Sequence, residues 1–138
     1  MRVDDKFWGN PFVQSAGYFS VVVLCLVLAM VVFEVVTKYN NWDEIKKGNV
    51  AVALATGGKI VGICNIFRYS IEKHATFTEM IGWGCFGFVL LIFAYFLFEF
   101  FTPKFKIDDE IQNDNRSVGL ISFTISIGLS FVIGASIA

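Results

Sequence analysis

Charge, histidine and cysteine are all scarce in this sequence, and each scarcity excludes a class of protein. Asp, Glu, Lys and Arg make up 17% of the 138 residues, and the formal net charge is −1. Basic residues are few and scattered, so nothing indicates a surface for nucleic acid. His74 is the single histidine, which leaves a metal site or a catalytic base without partners. The three cysteines, Cys25, Cys64 and Cys85, lie in apolar surroundings and lack the spacing of a metal site or disulfide framework.

Apolar side chains are abundant instead, and they are arranged in long blocks. Hydrophobic residues make up 56% of the chain and the mean hydropathy is +0.66, more than a soluble domain of this size could hide from water. Each of four blocks approaches the ~20 residues that cross a ~30 Å hydrocarbon core: 16–36, 50–67, 81–101 and 118–138. We therefore predict an all-α membrane protein with four transmembrane helices in a single membrane domain, 1–138.

The two halves of the chain share a pattern, Phe-Glu-x-x-Thr followed by Asp-Glu-Ile-x-x-x-Asn. One copy reads FEVVTKYNNWDEIKKGN and the other reads FEFFTPKFKIDDEIQNDN. After a one-residue insertion the register continues into the next helix, where Val52 matches Val118. We interpret this as an internal duplication, with repeat 1 at about 16–67 and repeat 2 at about 81–138. Each unit crosses the membrane twice, which predicts a tandem parallel repeat of two-helix hairpins.

The polar loops carry an unequal share of positive charge. The two repeated loops hold six Lys or Arg residues, whereas the amino terminus and the central loop together hold four. Because Lys and Arg collect on the cytoplasmic side of a membrane, we predict that both repeated loops are cytoplasmic and that both termini are outside.

The second helix of each unit carries small residues at helical spacing. They are Gly58 and Gly62 in the second helix, and Ser122, Ser126, Ser130 and Gly134 in the fourth. Lipid gives no hydrophobic drive for helix association, so close packing of small residues must supply it. We expect these two helices to meet near the pseudo-axis or to form a contact between protomers. The alternative is that the small residues fill space in a loose bundle.

Lys59 lies about ten residues into the second helix, where an ionisable side chain costs at least ~2.5 kcal/mol on insertion scales and is a candidate functional residue. One interpretation is a polar element of a pore or relay, paired with Glu34 or Glu99. The other is a lysine that snorkels from a short helix. The matching residue of the second repeat is Ile125, so the duplication does not require a charge there.

Glu34 and Glu99 occupy matched positions near the ends of the first and third helices, each followed by a threonine, Thr37 and Thr102. Together with Lys59 they form a candidate intramembrane polar site on the pseudo-axis. The structural interpretation is that each glutamate reaches the headgroups or accepts a hydrogen bond from the loop that follows.

The Asp-Glu-Ile-x-x-x-Asn element precedes each small-residue helix. Acidic side chains suit the amino-terminal end of a helix, where the dipole attracts negative charge. One interpretation is a helix start lying on the membrane surface. The other is a docking surface for a cytoplasmic partner, with these candidate residues: Asp43, Glu44, Asn49, Asp109, Glu110 and Asn115.

The stretches DEIKKGNVAVALATGGKIVG and DDEIQNDNRSVGL resemble a family of small bacterial inner-membrane proteins, catalogued as Domain of Unknown Function 350. The resemblance covers nearly everything from Ala16 onward. The second copy departs from it, because Arg116 and Ser117 stand where the first copy has Val50 and Ala51. The resemblance implies a four-helix protein of the bacterial inner (plasma) membrane without assigned chemistry. It also implies association with membrane-stress or membrane-remodelling proteins of the phage-shock and flotillin-like kinds.

Two functions fit these observations. The first is a non-enzymatic scaffolding subunit of an oligomeric membrane complex. The alternative is a small oligomeric ion channel or transporter that uses Lys59, Glu34 and Glu99. An enzyme fits least, because no nucleophile–base pair or metal constellation is visible. The expected partners are the lipid bilayer, further copies of the chain, and another membrane or membrane-associated protein. No cofactor, metal or nucleic acid is expected.

Overall fold

The computed structural model describes residues 9–37, 39–74, 76–100 and 106–138, and these residues are almost entirely helical. Within them the chain forms six helices: α1 (Pro11–Val36), α2 (Asn41–Lys46), α3 (Val50–Lys73), α4 (Phe77–Phe100), α5 (Ile107–Gln112) and α6 (Arg116–Ile137). The predicted all-α class is confirmed.

The four long helices, α1, α3, α4 and α6, are each long and apolar enough to cross a membrane. They contain between 22 and 26 residues. At 1.5 Å per residue this is about 33–39 Å, against a hydrocarbon core of ~30 Å. The predicted number of spanning helices is confirmed at the level of length and composition.

Helix α3 is longer than its apolar block, which ends at Phe67, and continues to Lys73. Arg68 and Glu72 lie one turn apart in this extension, and Arg68 Nε is 3.3 Å from Glu72 Oε1. Sequence analysis had placed these polar residues in a loop. Hydropathy scores side chains alone, so it ends a span where the backbone hydrogen bonds of the helix still continue.

Asparagine side chains begin four of the six described helices. Each accepts a hydrogen bond from a backbone N–H two or three residues further on, which satisfies one donor that the first turn leaves free. The pairs are Asn10 with Phe12, Asn40 with Asp43, Asn49 with Val52, and Asn115 with Val118.

Helices α3 and α6 form the most closely packed pair. A Cβ atom added to Gly58 would lie 2.7 Å from the Phe123 Cα, and one added to Gly119 would lie 2.7 Å from the Ala51 Cα. Neither position has room for a larger residue. The contacting pairs advance together along both helices, which are therefore parallel: Ala51 with Gly119, Gly58 with Phe123, and Tyr69 with Gly134.

Helices α1 and α4 complete the bundle and expose much of their surface. Among their exposed side chains are Leu28, Val35 and Phe93, which are 57%, 79% and 59% exposed. Their inner faces join α3 and α6 in one apolar core: Ala29, Phe33, Ile63, Ile66, Phe67, Met80, Leu91, Ile133 and Ile137.

A second, smaller core lies where α2 and α5 pack on the bundle. We call this region, residues 39–49 and 107–115, the short-helix end. The buried apolar residues of this second core come from the short-helix end and from the start of α3: Tyr39, Ala51, Val52, Ala55, Ile107 and Ile111. At the opposite end, Ser70 Oγ donates to the Met80 carbonyl at 2.6 Å and His74 Nε2 lies 2.9 Å from the Ile137 carbonyl. His74, the single histidine, therefore links the ends of α3 and α6.

Candidate functional site

Lys59 is the tenth residue of α3 and only 2% exposed. Its Nζ lies 4.9 Å from the ring centre of Phe33 and 5.1 Å from that of Tyr95, within the range of cation–π contacts. Side chains on a helix lean toward its amino terminus. The ammonium therefore reaches from the middle of α3 toward the short-helix end.

Asp108 is the negative charge that acts on Lys59. It is 2% exposed and lies in the first turn of α5, and its Oδ1 accepts a hydrogen bond from the Tyr95 hydroxyl. Tyr95 therefore stands between the two charges, with its ring against Lys59 and its hydroxyl on Asp108. Three elements, α3, α4 and α5, build this set of Lys59, Tyr95 and Asp108.

Sequence analysis missed Tyr95 and Asp108. The residue that matches Asp108 in the first copy of the repeated pattern is Trp42. Because Asp108 is present in one copy alone, the residues that the two copies share do not include it. The available signal was a second acidic residue directly before Asp109.

A small cavity of about 20 Å³ lies beside Lys59, between α3, α4 and α6. A space of this size holds about one water molecule. Ser122 and Ser126 line it from α6, together with Ile125, the residue that matches Lys59 in the second half. The rings of Phe33 and Tyr95 also line the cavity.

The other residues of the predicted intramembrane site lie elsewhere. Glu34 is half-buried and lines a separate groove of about 280 Å³ between α1 and α3. No salt bridge joins it to Lys59 in the part of the chain that the structure describes. Thr37 ends α1, and its hydroxyl donates to the carbonyls of Glu34 and Tyr39, at 3.3 and 3.4 Å. The Glu99 side chain and Thr102 lie outside the described residues.

The predicted docking residues form two turns with the same hydrogen bonds. Asn49 Nδ2 donates to Glu44 Oε2 at 3.3 Å, and Asn115 Nδ2 donates to Glu110 Oε2 at 2.8 Å. The backbone N–H of each asparagine also donates to the carbonyl of the same glutamate. These four side chains are therefore committed to holding the turn between a short helix and the long helix after it.

Two further hydrogen bonds join one turn to the other. Asn49 Nδ2 donates to the Gln112 carbonyl at 2.7 Å, and the Ala51 N–H donates to Asp114 Oδ1 at 3.0 Å. Asp114 thus satisfies one of the free donors at the start of α3. It does so from a left-handed backbone conformation with φ of 60°, at the place where Gly48, with φ of 90°, stands in the first turn.

Asp43 is the most exposed of the docking candidates. Asp43 is exposed and its N–H is bonded to Asn40, whereas Asp109 is half-buried. Glu44 is partly neutralised by Lys47, whose Nζ lies 3.8 Å from Glu44 Oε1. Asp43 is therefore the acid most available to a partner, and Asp109 is its half-buried counterpart in the second turn.

Tyr39 is 5% exposed at the short-helix end. Its hydroxyl makes no hydrogen bond within the described ranges. Burial raises the pKa of the phenol above its ordinary value, and the charges of Asp108 and Glu44 raise it further. The group is therefore a neutral phenol at physiological pH.

The small residues selected from the sequence lie between α3 and α6. Gly62 contacts the backbone of Ser126, and a Cβ added to Gly134 would meet the ring of Tyr69. Ser130 is fully buried and its hydroxyl donates to the Ile127 carbonyl while accepting from Asn65 Nδ2 at 3.0 Å. Sequence analysis missed Asn65, which adds a polar bond between the helices.

No group of three or more His, Cys, Asp or Glu side chains that could hold a metal ion occurs among the residues that the structure describes. His74 stacks on Trp83, with ring centres 5.5 Å apart.

The comparisons with known proteins agree on one family. The model of the family described as Domain of Unknown Function (DUF350) matches residues 7–137. The UPF0719 transmembrane protein YshE of Bacillus subtilis is 63% identical over 95% of this chain and 98% of its own length. The UPF0719 inner membrane protein YjfL of Escherichia coli K12 is 20% identical over 86% of this chain and 88% of its own. No solved structure matches the chain. The resemblance seen in the sequence is confirmed, and this multi-pass membrane protein belongs to the family described as Domain of Unknown Function (DUF350).

Proposed function

We propose that the protein is a non-enzymatic scaffolding subunit of an oligomeric complex in the bacterial inner membrane, and that the short-helix end binds its partner. The observation that carries this proposal is the pair of hydrogen bonds from Asn49 and Ala51 to the opposite turn. They fasten two polar turns into one unit and leave Asp43 exposed on it. A preorganised polar surface loses little conformational freedom on binding.

The internal duplication supports the same proposal. The two turns share their backbone and Asn–Glu hydrogen bonds, and α3 and α6 are parallel, as a tandem repeat of two-helix hairpins requires. A duplicated unit would present two related acidic surfaces side by side. A partner that is itself repeated or symmetric would match such a surface.

The location and orientation rest on charge and on relatives. The YjfL protein of Escherichia coli is called an inner membrane protein. The six-to-four excess of Lys and Arg supports a cytoplasmic location for the short-helix end. A cytoplasmic acidic surface suits a soluble or peripheral protein, and the family resemblance points to membrane stress or remodelling.

The faces that stay open within one chain support a homo-oligomer. A Cβ added to Gly57 on α3, or to Gly128 on α6, would meet nothing within 4 Å. Small residues on an outward face permit another helix to approach closely. The Ser and Gly ridge of α6, by contrast, is used inside the chain, where Ser122, Ser130 and Gly134 are buried.

The test is purification of the tagged full-length protein from native membranes in mild detergent, followed by native mass and identification of co-eluting proteins. We expect a partner at fixed stoichiometry. The double variant Asp43→Asn/Asp109→Asn should lose most of it. Glu79→Asn at the opposite end is the matched control, because Glu79 is also exposed. Equal recovery of the partner with both variants would refute docking at the short-helix end.

A small oligomeric ion channel or transporter is the second candidate, and the buried charge of Lys59 favours it. Intramembrane lysines commonly mark a solute pathway. Ion flux into liposomes containing the purified protein separates the two proposals. Flux that Lys59→Ala abolishes would favour a channel. Absence of flux, or flux unchanged by this substitution, would exclude this role for Lys59.

A further inference from the structure

Three hydrogen-bond donors surround the cavity beside Lys59. Lys59 itself is 98% covered, and its ammonium forms no salt bridge with any described residue. The hydroxyls of Ser122 and Ser126 face the same space and make no hydrogen bond within the described part of the chain. An ammonium has three donors and no acceptor, and it is costly to bury without a partner.

Three other hydroxyls of α6 behave differently. Thr124, Ser130 and Ser136 each donate to a carbonyl three or four residues earlier on their own helix, at 2.9, 2.6 and 2.8 Å. This is the usual arrangement for a hydroxyl on a helix. Ser122 and Ser126 lack such a bond to any described residue, as does Ser117 at the exposed start of the helix. Unlike Ser117, they lie at the cavity, so their protons are available to a bound species.

The size and chemistry of the cavity restrict what binds there. A volume of about 20 Å³ excludes any organic molecule. A second cation is excluded by the ammonium. A water molecule would accept from two donors but would turn its own protons toward the rings of Phe33 and Tyr95. A monatomic anion accepts from all three donors and neutralises the lysine.

We propose that Lys59, Ser122 and Ser126 form a buried site for a single small anion of chloride size. The negative charge of Asp108 would repel the anion, but Asp108 does not line the cavity. Its carboxylate accepts a hydrogen bond from the Tyr95 hydroxyl. Lys59 is therefore the charged side chain among the described residues that line the cavity. The site does not depend on the scaffolding function, because it lies within a single chain.

The experiment measures thermal unfolding of the full-length protein in lipid nanodiscs, in sodium chloride and in sodium gluconate of equal ionic strength. A ligand that binds only the folded state raises Tm, and we expect a rise of about 3 °C in chloride. The linewidth of the chloride NMR signal, which broadens on exchange with a protein site, gives a direct reading of binding. Lys59→Met, which keeps the length and removes the charge, should abolish both effects.

The double variant Ser122→Ala/Ser126→Ala keeps Lys59 and should weaken the apparent chloride affinity about tenfold, because two charge-assisted hydrogen bonds are lost. Ser136→Ala is the matched control, since Ser136 lies on the exposed side of α6 and should leave the chloride effect unchanged. Equal Tm in the two salts without line broadening would overturn the proposal and leave at most a water in the cavity. If Lys59→Met fails to fold, unchanged affinity in the double serine variant would overturn it equally.

Discussion

At the scale of single residues, the chemistry lies where the two halves of the chain differ. Lys59, Asn65 and Asp108 are all at least half-buried and engaged, and their counterparts in the other half are Ile125, Phe131 and Trp42. The shared residues, such as Asn49 and Asn115, hold turns instead. The repeated pattern therefore located the residues that hold the turns, but it did not select Asn65 or Asp108, which are present in one half only.

We predict that the stability of the protein depends on pH through Tyr39. Its pKa is raised in the folded protein above the ordinary value of 10. Above pH ~10 the unfolded chain loses the phenol proton, whereas the folded chain keeps it. The contribution of the Tyr39 phenol to the free energy of unfolding is therefore complete below pH ~10 and is lost as the pH rises further. Tyr39→Phe lacks the phenol. Its Tm should fall less than that of the natural protein between about pH 9 and pH 11.

Lysines also lose protons between about pH 9 and pH 11, and they do so in both proteins. The effect of Tyr39 is therefore the difference between the Tm of the natural protein and that of Tyr39→Phe at each pH. At neutral pH the substitution should be close to neutral, because the Tyr39 hydroxyl has no hydrogen bond within the described ranges. Parallel curves for the two proteins at high pH would contradict the prediction.

At the scale of elements, hydropathy predicted the spans but not the short helices. The Asp-Glu-Ile element, which precedes each small-residue helix, was interpreted as a helix start on the membrane surface or as a docking surface, and no separate short helix was predicted. In the structure α2 and α5 are separate, because Gly48 and Asp114 adopt left-handed backbone conformations and reverse the chain before the next cap. Gly48 was a visible stop signal. An aspartate at the corresponding position is not, since its conformation depends on the bond that it makes to α3.

The packing of α3 on α6 gives a prediction with adjacent residues as test and control. A Cβ at Gly58 would lie 2.7 Å from a backbone atom of α6, whereas one at Gly57 would meet nothing within 4 Å. Gly58→Ala should lower the free energy of unfolding by on the order of 2 kcal/mol, because a backbone cannot yield as a side chain does. Gly57→Ala should be neutral or gain up to ~1 kcal/mol from helix propensity.

Unfolding in detergent, followed by circular dichroism, measures both variants. Equal stability of Gly58→Ala and Gly57→Ala would mean that α3 and α6 are not in close contact along this stretch. A change in native mass confined to Gly57→Ala would instead identify the open face of α3 as a contact between copies.

At the scale of the whole molecule, the sequence predicts which end faces which compartment. Asp43 and Asp109 lie at the same end of the bundle, and Glu79 lies at the other. We expect Asp43→Cys and Asp109→Cys to react with a membrane-impermeant maleimide only after cells are opened, and Glu79→Cys to react in intact cells. Reaction of the first two on opposite sides would contradict two hairpins in the same orientation. Reaction of both in intact cells would reverse the predicted topology.

The sequence could not predict which charge would approach Lys59. Glu34 and Glu99 were the candidates because both recur, and the Glu99 side chain lies outside the described residues. The effect of Asp108 depends on how α5 packs against α3 and α6. The bond between Tyr95 and Asp108 spans 13 residues and crosses the segment between α4 and α5. Such contacts depend on tertiary packing and produce no periodic pattern in the sequence.

The bonds between the two turns also set an order of events during synthesis. The acceptors at Gln112 and Asp114 lie 63 positions after the donors Asn49 and Ala51. A ribosome therefore delivers α1 and α3 to the membrane well before the acceptor groups of the second turn are synthesised. Until α6 is inserted, the side of Lys59 that Ser122 and Ser126 cover has no neighbour. A chain truncated before α6 would leave this side of the ammonium uncovered, and an uncovered charge within a membrane-spanning segment is costly.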